Sequence, residues 1–65
     1  MEAVLRNVNF SGANLQGAVF VQSDIRGANF SGAKLSNANF YRATYDNKTL
    51  FPMFFNLEIH EMMRR

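Results

Sequence analysis

The sequence predicts an all-β solenoid, a chain that winds repeatedly around one core on short extended sides. Three observations predict it. A large apolar residue recurs at every fifth position, the glycines occupy a single slot of that repeat, and one segment recurs after twenty residues.

The large residues are Leu5, Phe10, Leu15, Phe20, Ile25, Phe30, Leu35, Phe40, Tyr45 and Leu50, and these are the expected core. Two positions before them stand Ala3, Ala13, Ala18, Ser23, Ala28, Ala33, Ala38 and Ala43, with the larger Val8 in the same series and Lys48 breaking it. On a helix, five residues advance an apolar site by about 140°, so the stripe spirals around the rod. On a flat strand an odd step alternates the sites between two faces. The chain must therefore turn in every unit for all large residues to share one axis. Small and large positions are two apart, so both face inward on a short extended piece.

The corners are marked independently. Gly12, Gly17, Gly27 and Gly32 all follow a large residue by two, and Asn7, Asn37 and Asn47 fill the same slot elsewhere. Glycine and asparagine tolerate positive φ and tight turns best. The segment Asn9 to Ala13 recurs as Asn29 to Ala33, and phenylalanine alternates with aliphatic residues from unit to unit. Both facts suit four units per coil, with coils about 4.8 Å apart.

The triplets Ala13-Asn14-Leu15, Ala28-Asn29-Phe30 and Ala38-Asn39-Phe40 match an Ala-(Asp/Asn)-(Leu/Phe)-X-X signature. Over residues 3–50 the chain resembles the pentapeptide-repeat family. The resemblance implies a right-handed quadrilateral parallel β-helix, here of about two coils; the residues by themselves give a square-turning solenoid. The run from Tyr45 to Pro52 is similar to the tail that follows the repeats in many cyanobacterial members.

Residues 1–50 are therefore read as the solenoid and 51–65 as a capping segment, α-helical from about residue 54. Phe55, Ile59, Met62 and Met63 form one apolar helical stripe. Glu58 and Glu61 precede Arg64 and Arg65 in the order that suits a helix dipole. A solenoid end needs such a cover, because it exposes strand edges and apolar side chains. No comparable cover precedes Ala3. That end is expected to meet a second copy in a two-fold dimer, to seat on a larger protein partner, or to continue a longer solenoid.

The remaining composition mostly excludes. The chain has 65 residues and no cysteine, so disulfides and thiolate metal sites are ruled out. A domain this small buries only about 60% of its unfolded surface, which makes self-association the first stabiliser to consider. A cysteine-free chain fits a reducing compartment, and a cytoplasmic location is expected. No window has eighteen apolar residues, so no membrane insertion is expected. The net charge of +2 is too small to argue for nucleic acid.

Sites of chemistry are sparse. His60-Glu61-Met62-Met63-Arg64 lacks the second histidine of a zinc-protease motif and is read as part of the cap. Asp24 and Asp46 occupy non-equivalent outward positions. The Asn-Phe-Ser triplets at Asn9 and Asn29 place core phenylalanines inside a glycosylation sequon, which is read as chance. The chain is read as non-enzymatic, with no cofactor, no metal and no small-molecule substrate. Residues twenty apart should stack, which places Arg6, Arg26 and Asp46 in one column and predicts an Arg26–Asp46 ion pair. Asn9 should stack on Asn29, and Ser11 on Ser31, as hydrogen-bonded side-chain ladders. Val19, Val21 and Tyr41 put apolar groups on one outward face, with Val21 and Tyr41 in contact. That face is either a contact surface or the seat of the C-terminal segment.

The expected function is a structural or protein-interaction module. Its contact residues would be Val19, Val21 and Tyr41, together with Leu5 and Arg6 of the N-terminal coil, which would carry self-association. An accessory subunit of a larger assembly is the alternative. Some family members imitate duplex DNA and bind DNA gyrase, but that requires an acidic rod. Here Arg6, Arg26, Lys34, Arg42 and Lys48 outnumber Glu2, Asp24 and Asp46. The basic residues are scattered over several faces with no interleaved aromatic platform, which argues against nucleic-acid binding.

Overall fold

The structure, a computed structural model, describes residues 2–56 and 60–65. Its elementary unit is a turn. The N–H of Ala13 donates to the Phe10 carbonyl at 3.0 Å, and the same bond recurs from Ala18 to Leu15, Ala28 to Ile25 and Ala43 to Phe40. The third residue of each turn is left-handed: Asn7, Gly12, Gly17, Gln22, Gly27, Gly32, Asn37 and Arg42 all have φ between 57° and 74°. One positive φ at that position is the mark of a type II turn. Gln22 and Arg42 adopt it without glycine's freedom, at a cost of about 1–2 kcal/mol each.

Between turns the chain extends just long enough to pair with the next circuit. Val4 bridges Asp24, Asn9 bridges Asn29, Asn14 bridges Lys34 and Val19 bridges Asn39, all in parallel. The series restarts with Asp24 and Thr44. Each bridge uses a reciprocal pair of bonds, such as Leu5 N–H to the Asp24 carbonyl (2.8 Å) and Asp24 N–H to the Ala3 carbonyl (2.9 Å). Sides this short yield just two named strands among the described residues, β1 (Thr44–Tyr45) and β2 (Met63–Arg64), paired in parallel.

Inside, the stacked circuits align like residues. Phe10, Phe30 and Phe51 form one offset stack, with ring centroids 5.0 and 5.8 Å apart and planes within 10°. Phe20 and Phe40 form a second stack at 4.7 Å, and the two stacks meet edge to face at 5.6–6.4 Å. Such pairs add about 0.5–1.5 kcal/mol beyond their buried area. Ile25, Ala28, Phe30, Phe40 and Ala43 are fully buried.

Two features depart from the expected pattern. First, Leu50 is not a core residue. It is half exposed, while Thr49 is buried and Phe51 stacks on Phe30. The turn after Tyr45 starts one residue late, closed by Thr49 N–H to the Asp46 carbonyl (3.1 Å), so Leu50 bridges Asn29 at an offset of twenty-one. Asn47 accordingly lacks the left-handed backbone of the other corners. The alternative register would bury the Lys48 ammonium, and an unpaired buried charge is prohibitive.

Second, no α-helix forms among the described residues beyond 54; Ile59 of the expected stripe and Glu58 of the expected dipole pairing lie outside them. Met53 and Phe54 form a turn, and β2 lies on β1 as a further rung. Met63 N–H donates to the Ala43 carbonyl (2.8 Å), Arg65 N–H to the Tyr45 carbonyl (2.8 Å) and Arg42 N–H to the Glu61 carbonyl (3.3 Å). A helix satisfies its own backbone and would leave that edge bare. Phe55 and Met62 still pack on the core, but from separate extended pieces, and Met63 faces outward.

Gly27 supports a direct test of the corner geometry. A Cβ there would collide with the Asn7 carboxamide of the preceding circuit, whereas one at Gly12 would meet nothing. Gly12→Ala should therefore cost only the backbone penalty, about 1–2 kcal/mol. Gly27→Ala should carry the same backbone penalty and in addition swing the exposed Asn7 carboxamide aside, so its loss in urea unfolding should stay close to that of Gly12→Ala; a loss several kcal/mol larger would contradict this packing.

Candidate interaction surfaces

The first circuit has the largest uncovered end. Leu5, Phe10 and Leu15 pack against the core yet are only half-buried, whereas Ile25 and Phe30, one circuit on, are 0% exposed. The reason is one of position: nothing described stacks beneath the first circuit. Its outward backbone groups are bare for the same cause. Asp24, Asn29, Lys34 and Asn39 each donate an N–H to the circuit below, but their first-circuit counterparts have no such acceptor among the described residues. Arg6 is exposed beside this end.

Val19 and Tyr41 are 52% and 44% exposed, and Val21 is half-buried between them in sequence. Gln22 N–H donates to the Tyr41 carbonyl at 2.9 Å, which sets Tyr41 one circuit above Val21. Residues 61–65 pair along the 42–45 edge.

A third feature was not foreseen from the sequence. A groove of about 730 Å³ opens between residues 33–38 and the segment Pro52 to Asn56, with His60 at its margin. The His60 ring stacks on Phe55 (4.8 Å, 7°) and meets Phe40 edge-on (5.6 Å). Burial against these rings lowers the basicity of its imidazole below the ordinary value. Met53 and Phe54 at the rim are 83% and 96% exposed. Among the described residues no three His, Asp or Glu side chains converge as a metal site would require.

The pentapeptide-repeat profile matches residues 3–42 in eight copies. The chain belongs to the pentapeptide-repeat family. This is a family of non-enzymatic repeat proteins with a β-helix solenoid fold. The crystal structure of a pentapeptide repeat protein from Nostoc Pcc 7120 is similar, with a TM-score of 0.54 and 21% identity, over 98% of this chain and 78% of that one. No curated protein matches the chain.

The pentapeptide register also explains how the polar side chains are used. Asn9, Asn14, Asn29 and Asn39 each turn the carboxamide oxygen onto the N–H two residues on, at 2.9–3.2 Å. These oxygens brace local turns of the Asx kind rather than forming a ladder between coils. Arg26 does not pair with Asp46. Its guanidinium makes a bidentate pair with Asp24 on its own coil, at 2.9 and 2.8 Å. Asp46 is instead drawn into the enlarged turn, where its carboxylate accepts from Gly27 N–H and Lys48 N–H, both at 3.0 Å. Thr49 completes the repair: its hydroxyl accepts from Gly27 N–H (3.1 Å) and donates to the Ile25 carbonyl (3.1 Å). The displaced strand leaves Gly27 without a backbone acceptor, and these two side chains replace it.

Two outcomes follow. Thr49→Val keeps the shape but leaves the Ile25 carbonyl with Ala28 N–H alone and Gly27 N–H with Asp46 alone, so urea unfolding should show a loss of about 1–3 kcal/mol for the two lost bonds, largely absent in Thr49→Ser. The hydrogen bonds from Arg26 hold Asp24 down to about 2 from 3.8, against the opposing effect of burial. The native carboxylate thus binds its proton less readily than the unfolded one. Its contribution is complete above pH 3.8 and is lost as pH falls through about 2. Arg26→Gln should flatten that acid limb of the stability profile; an unchanged limb would contradict the pairing.

Proposed function

We propose that this chain is an interaction module that self-associates through its N-terminal coil. In this reading the β-helix is right-handed and quadrilateral, and the segment 51–65 acts as the cap of its other end. The observation that carries the reading is the half-burial of Leu5, Phe10 and Leu15 beside fully buried Ile25 and Phe30. An apolar layer left at one end of a short solenoid is stabilised by a like layer, and a two-fold axis provides one without a second gene product. Bare edge groups around the same layer favour a partner that pairs with them.

The exposed Val19 and Tyr41 support a second contact, with a larger assembly in which the chain is an accessory subunit. The two surfaces lie on an end and on a side, so one does not preclude the other. The positive net charge of the chain argues against DNA mimicry.

Light scattering coupled to size-exclusion chromatography should give twice the chain mass. Arg6→Glu together with Leu5→Glu should return the mass to one chain while the far-ultraviolet spectrum is kept. A folded monomer at millimolar concentration would overturn self-association. Co-purification from the native source, with Tyr41→Ala as the control, tests the side contact.

A further inference from the structure

The groove has a polar floor whose pattern defines what fits it. On the first circuit, Leu15 N–H and Gly17 N–H donate to the Lys34 and Ser36 carbonyls (2.8 and 2.9 Å), and the Ala13 carbonyl accepts from Lys34 N–H (2.9 Å). One circuit on, Leu35 N–H, Asn37 N–H and the Ala33 carbonyl stand in the same places, and none bonds to a described residue. Pro52 has no N–H to give, and its turn closes on itself through Phe55 N–H to the Pro52 carbonyl (3.2 Å). That turn holds Phe54 at φ 68°, a backbone region where bulky residues are outliers. The chain thus keeps a strained, fully exposed phenylalanine at the rim of an edge with no partner among the described residues, and local strain of this kind clusters at functional sites. The volume lies within the range of about 300–1,000 Å³ usual for binding pockets.

We propose that this groove binds an extended peptide of a partner protein as an added parallel strand, read as small–acidic–large apolar. The register assigns each position. The middle residue donates its N–H to the Ala33 carbonyl and accepts from Leu35 N–H, and the carbonyl two residues on accepts from Asn37 N–H. The first side chain lies over Ala33, a nearly buried residue of the groove's lining, so it must be small. The third points inward against Leu35 and Phe55. The middle side chain faces outward in the Asn14–Lys34 column, next to Lys34, which is exposed and makes no ion pair among the described residues. An acidic group there is complementary to it. Strand addition of this kind takes affinity from the main chain and specificity from alternate side chains. The site does not depend on self-association, which uses the opposite end.

The probe is the synthetic peptide acetyl-Ser-Ala-Asp-Leu-Ser-amide, titrated into the full chain labelled with nitrogen-15. The Leu35 and Asn37 amide signals should shift and their hydrogen exchange should slow. Lys34→Glu, an outward change, should weaken binding about tenfold, and a peptide with lysine in place of aspartate should restore it. N-methylation of the aspartate, which removes its N–H, should abolish binding. Three results would overturn the proposal: unshifted Leu35 and Asn37 amides at millimolar peptide, equal binding of the N-methylated peptide, or protection of those amides that rises with protein concentration alone, which would assign the groove to a second copy.

Discussion

A chain that turns every five residues must hold one residue of each turn in left-handed backbone, and residues 7–42 do so eight times in succession. The rest of the molecule depends on that corner. It aims every large side chain at one axis and every fifth backbone carbonyl back into its own turn. It also leaves three extended residues per side, enough for one parallel bridge and no more. The penalty is spread: glycine carries it freely at four corners, asparagine at two, and Gln22 and Arg42 bear it as ordinary residues. The aromatic stacks offset it, since each circuit sets a phenylalanine face on the one below at a spacing close to that of neighbouring strands.

Because inward side chains are spaced by the turn, a single added residue matters only where it occurs. After Tyr45 the chain takes one extra residue, and the next inward pair becomes Thr49 and Phe51. Stacking is preserved because Phe51 still meets Phe30. The backbone bond that is lost, at Gly27, is replaced by Asp46 and Thr49. Between Leu50 and Met63 the offset falls from twenty-one to nineteen, and among the described residues the N–H groups of Leu35 and Asn37 and the Ala33 carbonyl stay unpaired. The chain then returns to pairing at β2. One end of the solenoid is thus interrupted and partly covered, and the first circuit has no described residue stacked beneath it.

Most of the architecture was legible in the sequence, because a five-residue period has a single geometric solution and the twenty-residue recurrence counts the sides. What could not be read were events that break the period. Leu50 continues the apolar series by position, and only the burial of Thr49 shows that the register has moved. The anomaly at Lys48 was the visible signal, since a lysine cannot occupy a small inward slot. The apparent helical stripe from Phe55 to Met63 arose because two inward positions of successive rungs fell at a helix-like spacing. Pairing demand at the Ala43 edge decided the outcome, and that is a property of the neighbouring circuit rather than of the segment. The Arg26–Asp46 pair failed for a similar reason: Asp24, two residues from Arg26, gives a bidentate geometry, while Asp46 is held by amides. Of the outward slots at Val19, Val21 and Tyr41, Val19 and Tyr41 are exposed and Val21 is half-buried; the groove had no signal in the sequence because it lies beside the segment where the period breaks.

The most direct measurement of this account is the pattern of through-space amide and Hα contacts between circuits in solution. Contacts should fall at an offset of twenty for Asn9 with Asn29 and Asn14 with Lys34, at twenty-one for Asn29 with Leu50, and at nineteen for Thr44 with Met63. An unbroken offset of twenty through Asn29 and Thr49, or sequential helical contacts across residues 60–65, would contradict it.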